Sequence, residues 1–255
     1  MKISVLASGS KGNSCFIKTA AGEFLIDVGM TCSYISNALK DIDTSPENIK
    51  AIFITHTHTD HVNGLKVFVK KYNPIIYVSE KMYLELKDIV FSDNYVILDK
   101  ELIIDDLKVS IIKTSHDAED SVGYIFEERG RSIVYITDTG YINMKNHNKL
   151  SNKNIYVLES NHDIDMLMNN PKYPYHLKQR ILGDKGHLSN KDSSYYLGKF
   201  IGDNTKCIVL AHLSEHNNTK ELALETLEKS LDDNNKKCEK IIIASQTEKT
   251  ELVEV

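Results

Sequence analysis

The sequence predicts an α/β fold in which two mixed β-sheets pack face to face with helices outside. Strand-like runs meander early in the chain, and strands then alternate with helices in each half. The halves on either side of Tyr141 hold comparable elements with no repeat between them. A chain of 255 residues can bury a sizeable core, and residues 1–255 are read as one domain.

In order, Ile3 to Ala7, Cys15 to Thr19 and Glu23 to Val28 are apolar runs expected as strands. Gly9-Ser10-Lys11-Gly12-Asn13 and Ala21-Gly22 supply the turns between them. Ser33 to Leu39 is expected as a helix and Ile52 to Thr55 as the next strand. Leu65, Phe68 and Tyr72 recur at helical spacing from His61. Ile75 to Val78 and Val109 to Ile112 continue the strands. Val122 to Glu127 and Ser132 to Thr137 flank Glu128-Arg129-Gly130-Arg131, a hairpin signal. In the second half Ile155 to Leu158, Cys207 to Ala211 and Ile241 to Ala244 are expected as strands. Tyr175 to Leu182, Lys191 to Phe200 and Lys220 to Leu231 are expected as helices.

Hydrophobic content of 41% and charged content of 26% are ordinary for a soluble globular protein. No apolar run is long enough for a membrane span, and the N-terminal apolar stretch is too short for a secretory signal. Cys15, Cys32, Cys207 and Cys238 form no Cys-x-x-Cys pair. Reduced thiols and a cytoplasmic location are expected. A formal net charge of −5 means that any nucleic-acid partner must be held by a local patch.

The most informative stretch is His56-Thr57-His58-Thr59-Asp60-His61, between an apolar strand and a helix. Imidazole and carboxylate are the ligands that borderline divalent metals prefer. His56 and His58, one residue apart on extended backbone, point the same way and can chelate one ion; Asp60 and His61, past the bend, can face a second. A lone histidine is usually a core or surface residue, but four ligand-type residues within this short turn are poorly explained by chance.

Three more strand ends carry such residues: His116 after Val109 to Ile112, Asp138 after the strand from Ser132, and His212 after the strand from Cys207. Any one of these alone would read as a turn residue; together they favour a convergent site. His56, His58 and His116 are expected to hold a first metal, and Asp60, His61 and His212 a second, with Asp138 bridging both. Two ions so held imply hydrolysis by metal-bound hydroxide. Zinc or manganese, with iron also possible, suits such donors.

His-x-His-x-Asp-His, followed by His116, Asp138 and His212 after strands, resembles the metallo-β-lactamase superfamily over nearly the whole chain. The resemblance implies a four-layer αβ/βα sandwich. Asp27, in Phe24-Leu25-Ile26-Asp27-Val28-Gly29, matches that family's first acidic motif, which implies a supporting place beneath the metal loop. Gly183-Asp184-Lys185-Gly186-His187-Leu188-Ser189 resembles the Gly-His-Leu-Ser-type motif of its nucleases and phosphodiesterases. By that analogy His187 contacts the scissile phosphate and can protonate the leaving oxygen, and Glu159 can orient His187.

Lactamases of the family often carry a cysteine where Asp138 stands, and none is found here. The stretch between Asp138 and His212 is too short for the extra domain of β-CASP nucleases. The opening Ser8-Gly9-Ser10-Lys11-Gly12-Asn13-Ser14-Cys15, with the Gly-His-Leu-Ser motif, most resembles the YycJ/WalJ-type DNA exonuclease branch. That branch implies a metal-dependent 5′-to-3′ DNA exonuclease with Asp60 and His187 as catalytic residues. Ser10, Lys11 and Asn13 of the opening loop are then candidates for binding the nucleic acid. Lys172, Lys178, Arg180, Lys185 and Lys191, interleaved with Tyr173 and Tyr175, form the local basic excess that a phosphate backbone needs. A small-molecule phosphodiesterase or an RNase Z-like ribonuclease is the alternative on the same site; a non-catalytic nucleic-acid binder ranks behind both. His216, Asn217 and Asn218 have no assigned role.

Overall fold

The computed structural model describes residues 1–255. β1 (Lys2–Ala7), β2 (Ser14–Lys18) and β3 (Glu23–Ile26) form an antiparallel meander. α1 (Cys32–Lys40) leads to β4 (Ile49–Phe53), α2 (Thr59–Val62) and α3 (Leu65–Tyr72) to β5 (Ile75–Val78), and α4 (Glu80–Leu86) to β6 (Tyr95–Ile97). These four strands from β3 to β6 pair in parallel. The second sheet opens with antiparallel β7 (Glu101–Ile104), β8 (Leu107–Lys113), β9 (Val122–Glu128) and β10 (Arg131–Ile136). It continues through α5 (His147–Leu150), β11 (Ile155–Glu159), α6 (Ile164–Asn169), α7 (Tyr175–Leu182), α8 (Asn190–Phe200), β12 (Cys207–Ala211), α9 (Lys220–Asp233) and β13 (Lys240–Ile243), with β10 to β13 parallel. β14 (Val253–Glu254) returns to pair with β1. Two mixed seven-stranded sheets result, in the orders β14-β1-β2-β3-β4-β5-β6 and β13-β12-β11-β10-β9-β8-β7.

The chain changes sheets between β6 and β7, well before Tyr141. Both strands are short sheet edges without fully buried residues, so neither shows the apolar alternation that marks a strand in sequence.

Between the sheets lies an aromatic cluster centred on Phe53 of β4. Its ring stacks on Tyr77 at 4.7 Å and meets Phe126 edge-on at 5.2 Å. Burying side chains of this size stabilises the fold by roughly 1.5–3 kcal/mol each. The outer face of the second sheet packs Ile208 and Leu210 against Leu197, Phe200 and Leu227 of α8 and α9. No helix is long and apolar enough to cross a membrane.

This packing fixes where the site forms. Asp27 follows β3, His56 and His58 follow β4, Asp138 follows β10, Glu159 ends β11 and His212 follows β12. All lie at the carboxyl ends of parallel strands, where the crevice of such a sheet receives ligands. Val122 N donates to Thr55 O at 2.9 Å and clamps the two sheets together at that end.

Candidate metal centre

The turn after β4 leaves the sheet in extended backbone through His58, which precedes α2. Gly29 lets it pack: a Cβ there would lie 1.7 Å from Asp60 O. Asn13 N donates to Asp60 O at 2.7 Å, and Val28 N to His61 O at 2.9 Å, so the turn is held by backbone from both neighbouring loops.

Seven side chains converge. His56, His58 and His116 can direct ring nitrogens at one point, and Asp60, His61 and His212 can direct ligand atoms at another. Asp138 joins the two groups. Its Oδ2 lies 3.2 Å from His61 Nε2, and its Oδ1 lies 3.5 Å from His212 Nδ1 and 3.8 Å from His116 Nε2.

The donor set fits divalent cations on an independent observation. His56 Nε2, His212 Nε2 and Asp138 Oδ2 are buried without any hydrogen-bond partner. Buried polar atoms are nearly always satisfied, and here three orphans point into one cluster of metal-type donors. His58 Nδ1 and His116 Nε2 face one another at 3.3 Å, as two ligands of one ion would. A further grouping of Asp138, Glu159, His187 and His212 is different in kind. Glu159 Oε1 already accepts from His187 Nδ1 at 2.7 Å and from His212 Nδ1 at 2.9 Å.

Three of the residues hold left-handed backbone: Asp27 at φ 59°, Asp138 at φ 55° and His212 at φ 56°. Such geometry costs a non-glycine residue about 1–3 kcal/mol and is tolerated where the surroundings fix it. His212 is fixed by donating its backbone N–H to Ser8 Oγ at 2.8 Å.

A second tier of residues holds these side chains in place. Asp27 is fully buried. It accepts from Thr55 N at 2.8 Å, Thr55 Oγ1 at 2.7 Å and His61 Nδ1 at 2.7 Å. His61 is thereby turned to present Nε2 to the cluster. Glu159 accepts four bonds, two from the imidazoles and two from Thr139 N and Leu188 N. Burial opposes its charge, but His187 and His212 hold the carboxyl down at about 2. His116 Nδ1 donates to Gly186 O at 3.3 Å. Asp27→Asn should therefore cost about 3 kcal/mol of stability by breaking a buried pair. It should also weaken metal binding about 10–100-fold, as loss of such a support does. Denaturant unfolding and metal-competition titration measure the two effects.

Electrostatics separate the two groups of histidines. Burial pushes His56 well below its ordinary value, so it is neutral. Burial opposes charge on His61 too, but Asp27 and Asp138 raise it to about 10. His212 is likewise raised, against burial, by Asp138, Asp60 and Glu159. The cation-free protein at pH 7 thus carries protons that a metal must displace. Adding Zn²⁺ or Mn²⁺ to the chelator-treated protein should release at least one proton per chain, read with a pH indicator; loading without release would contradict this charge arrangement.

His187 stands beside the cluster, its ring 5.1 Å from that of His116 and 5.3 Å from that of His212. Nδ1 is committed to Glu159, which raises the imidazole's pKa against the effect of burial. Its Nε2 has no protein partner, and the ring lines a 380 Å³ cavity that also reaches Asp60, His116, Asp138 and His212.

The opening loop behaves differently from expectation in part. Ser10 lines the cavity. Lys11 pairs with Glu215 at 2.8 Å across its mouth. Asn13 is fully buried, its side chain directed at the turn that carries Asp60. Its Oδ1 accepts from Gly9 N at 2.8 Å, which leaves Nδ2 to donate to Asp60 Oδ2 at 3.2 Å, close to His61 Nε2 at 2.9 Å. A glycine-rich loop in sequence does not reveal that its asparagine folds inward.

The basic stretch is also divided. Arg180 and Lys185 line the cavity, whereas Lys178 is bound to Met168 O and Lys172 and Lys191 are exposed elsewhere. Arg180 Nε donates to Asp117 Oδ2 at 2.6 Å, tying α7 to the loop of His116. Asp117, whose only sequence signal is adjacency to His116, lies 3.4 Å from His116 Nε2. His216 lines the cavity. Asn217 and Asn218 instead bind loops together: Asn217 Oδ1 accepts from Asn170 Nδ2, and Asn218 Nδ2 donates to Ser160 O and Asn190 Oδ1.

The sequence profile of the metallo-β-lactamase superfamily matches residues 8–212. An exodeoxyribonuclease WalJ of Streptococcus pneumoniae is 37% identical over 233 residues, covering 89% of this chain and 86% of that one. An exodeoxyribonuclease YycJ of Bacillus anthracis is 34% identical over 241 residues, covering 91% and 90%. Among solved structures, the metallo-β-lactamase fold protein YhfI of Bacillus subtilis superposes with a TM-score of 0.71 at 14% identity, over 98% of this chain and 99% of that one.

Proposed function

The chain belongs to the metallo-β-lactamase superfamily, and from that premise we propose that it is a cytoplasmic, metal-dependent 5′-to-3′ DNA exonuclease. The observation that carries this reading is the convergence of seven ligand-type side chains with His187 at the wall of one cavity. Similarity to two exodeoxyribonucleases over about nine-tenths of the chain supports the choice of substrate.

His56, His58 and His116 would hold one cation and Asp60, His61 and His212 a second, with Asp138 available to both. When bound, such ions supply Lewis acidity, which activates a water and offsets charge on the phosphate oxygens. The chain's own residues do the rest. Asp60, partly exposed to the cavity, orients the attacking water and takes its proton. The water oxygen bonds to phosphorus as the ester bond to the neighbouring sugar oxygen breaks. His187, kept protonated by Glu159, gives its Nε2 proton to that departing oxygen, as a placed general acid does. Glu159 thus serves both imidazoles, fixing His212 as a ligand and His187 as an acid.

The test is digestion of end-labelled linear duplex DNA beside a covalently closed circle, with Mn²⁺ or Zn²⁺ present. The proposal expects mononucleotides from the 5′ end of the linear DNA and an intact circle. Cleavage of the circle would overturn the exonuclease reading, and turnover confined to a thioester or a small cyclic phosphodiester would overturn the nuclease reading. Binding to DNA should weaken steeply as salt rises, because phosphate contacts release counterions.

A further inference from the structure

We propose that α7 and the residue before its cap form a nucleoside subsite, in which the base of the 5′-terminal nucleotide packs on Tyr173, Leu177 and Ile181 while the scissile phosphate on its 3′ oxygen lies at the candidate metal centre. The inference rests on the nucleotide-hydrolase reading above and adds what recognises the rest of the substrate.

α7 is unlike the other long helices. α1, α3, α4, α8 and α9 each bury residues in the core, whereas α7 buries none. It nevertheless carries an apolar stripe. Leu177 and Ile181, four apart on α7, share one face, Tyr173 just before the helix joins them at the cavity, and all three are only partly exposed. That face lines the cavity instead of the protein interior. An amphipathic helix normally buries its apolar stripe, and one turned onto a cavity has an apolar occupant to gain.

The cavity is accordingly two-sided. Its apolar lining is Tyr173, Leu177, Ile181 and Leu213, three of these from the α7 segment. The facing surface is polar and carries His58, Asp60, His116, Asp138, His187 and His212. The matching solute has a charged phosphate at one end and a flat, largely apolar ring at the other, which is a nucleotide. A volume of 380 Å³ is near the low end for small-molecule sites and suits one nucleotide unit, not a stacked duplex.

The segment is held in place over the cavity. Arg180 bonds Asp117 on the opposite loop, and Asn170, at the other end of the segment, bonds Asn217. Tyr173 meets His216 edge-on at 6.5 Å between centroids. Apart from the Tyr173 hydroxyl the stripe is apolar, so it takes a base through its face, as sequence-tolerant nucleic-acid sites do. A terminal base must leave its partner to enter, which ties the pocket to chain ends.

The test uses calorimetry on the Mn²⁺-loaded protein with two probes, thymidine 3′-monophosphate and methyl phosphate. They share the phosphate and differ in the nucleoside. The proposal expects the nucleotide to bind at least tenfold more tightly than methyl phosphate. Tyr173→Ala and Leu177→Ser should each bring that ratio down at least fivefold, with Tyr173→Phe keeping it. Since α7 buries nothing, these variants are expected to fold, and circular dichroism verifies it. A ratio near one in the unaltered protein, or a ratio unmoved by both variants, overturns the subsite even if DNA is digested. A large ratio that the variants abolish, in a protein that digests no DNA, keeps the subsite and sinks the nuclease reading.

Discussion

Asp138→Ala is expected to lower bound metal from the two ions per chain proposed above to at most one, and DNA hydrolysis by about three orders of magnitude. Asp138 lies within reach of both ligand groups, with its two oxygens 3.2–3.8 Å from ring nitrogens of His61, His212 and His116. Its Oδ2 is buried beside His61 Nε2 at 3.2 Å. What is lost is charge. Burial opposes ionisation of Asp138, but His212 and His61 hold it well below the usual carboxylate range. Each factor of ten in rate corresponds to about 1.4 kcal/mol, and several kcal/mol of transition-state stabilisation is what metal ions typically supply. Metal analysis after dialysis and a nuclease assay check both numbers.

The same variant makes a pH prediction for the metal-free protein. His61 is raised from 6.5 to about 10, burial being outweighed by Asp27 and Asp138. A group whose folded value lies above its unfolded value stabilises fully below the unfolded value and loses that contribution as pH rises through the folded one. The melting-temperature gap between the unaltered protein and Asp138→Ala should be widest near pH 6 and narrow as pH rises toward about 10. A gap that widens with pH would contradict the assignment.

His187→Ala is expected to lower DNA hydrolysis by about 10²–10⁴-fold, the range for loss of a placed general acid, with metal content unchanged. His187 lies outside the two histidine-rich ligand groups, and its Nδ1 is spent on Glu159. The leaving group separates this role from a structural one. A sugar oxygen needs a proton to depart and p-nitrophenolate does not. The variant should lose under tenfold on thymidine 5′-phosphate p-nitrophenyl ester while losing heavily on DNA. Equal losses on both substrates, or loss of metal in parallel, would remove His187 from the acid's position.

Much of the centre is legible in the chain because ligands follow strands. His56 to His61 crowd one turn of the first sheet, and His116, Asp138 and His212 each follow an apolar strand of the second, so face-to-face packing of the two sheets brings these strand ends together. Asp27 and Glu159 are found by family resemblance; in the structure Asp27 bonds His61 and Glu159 bonds His187. Other features escape for physical reasons. Asn13 sits in a flexible-looking glycine loop, and only the inward path of that loop brings its amide to Asp60. Asp117 and Arg180 meet across a distance in sequence that no local pattern spans. The left-handed backbone at Asp27, Asp138 and His212 has no compositional mark, because glycine is absent from all three positions. The edge strands β6 and β7 are short and partly exposed, so hydrophobic pattern passes over them and the boundary between sheets is misplaced.

The most direct measurement is mononucleotide release from linear duplex DNA while Mn²⁺ is titrated into chelator-stripped protein of known concentration. The account predicts no release without metal, a rise that continues to two equivalents per chain, and a plateau beyond. Release that survives the chelator, or that reaches its plateau at one equivalent, would contradict it.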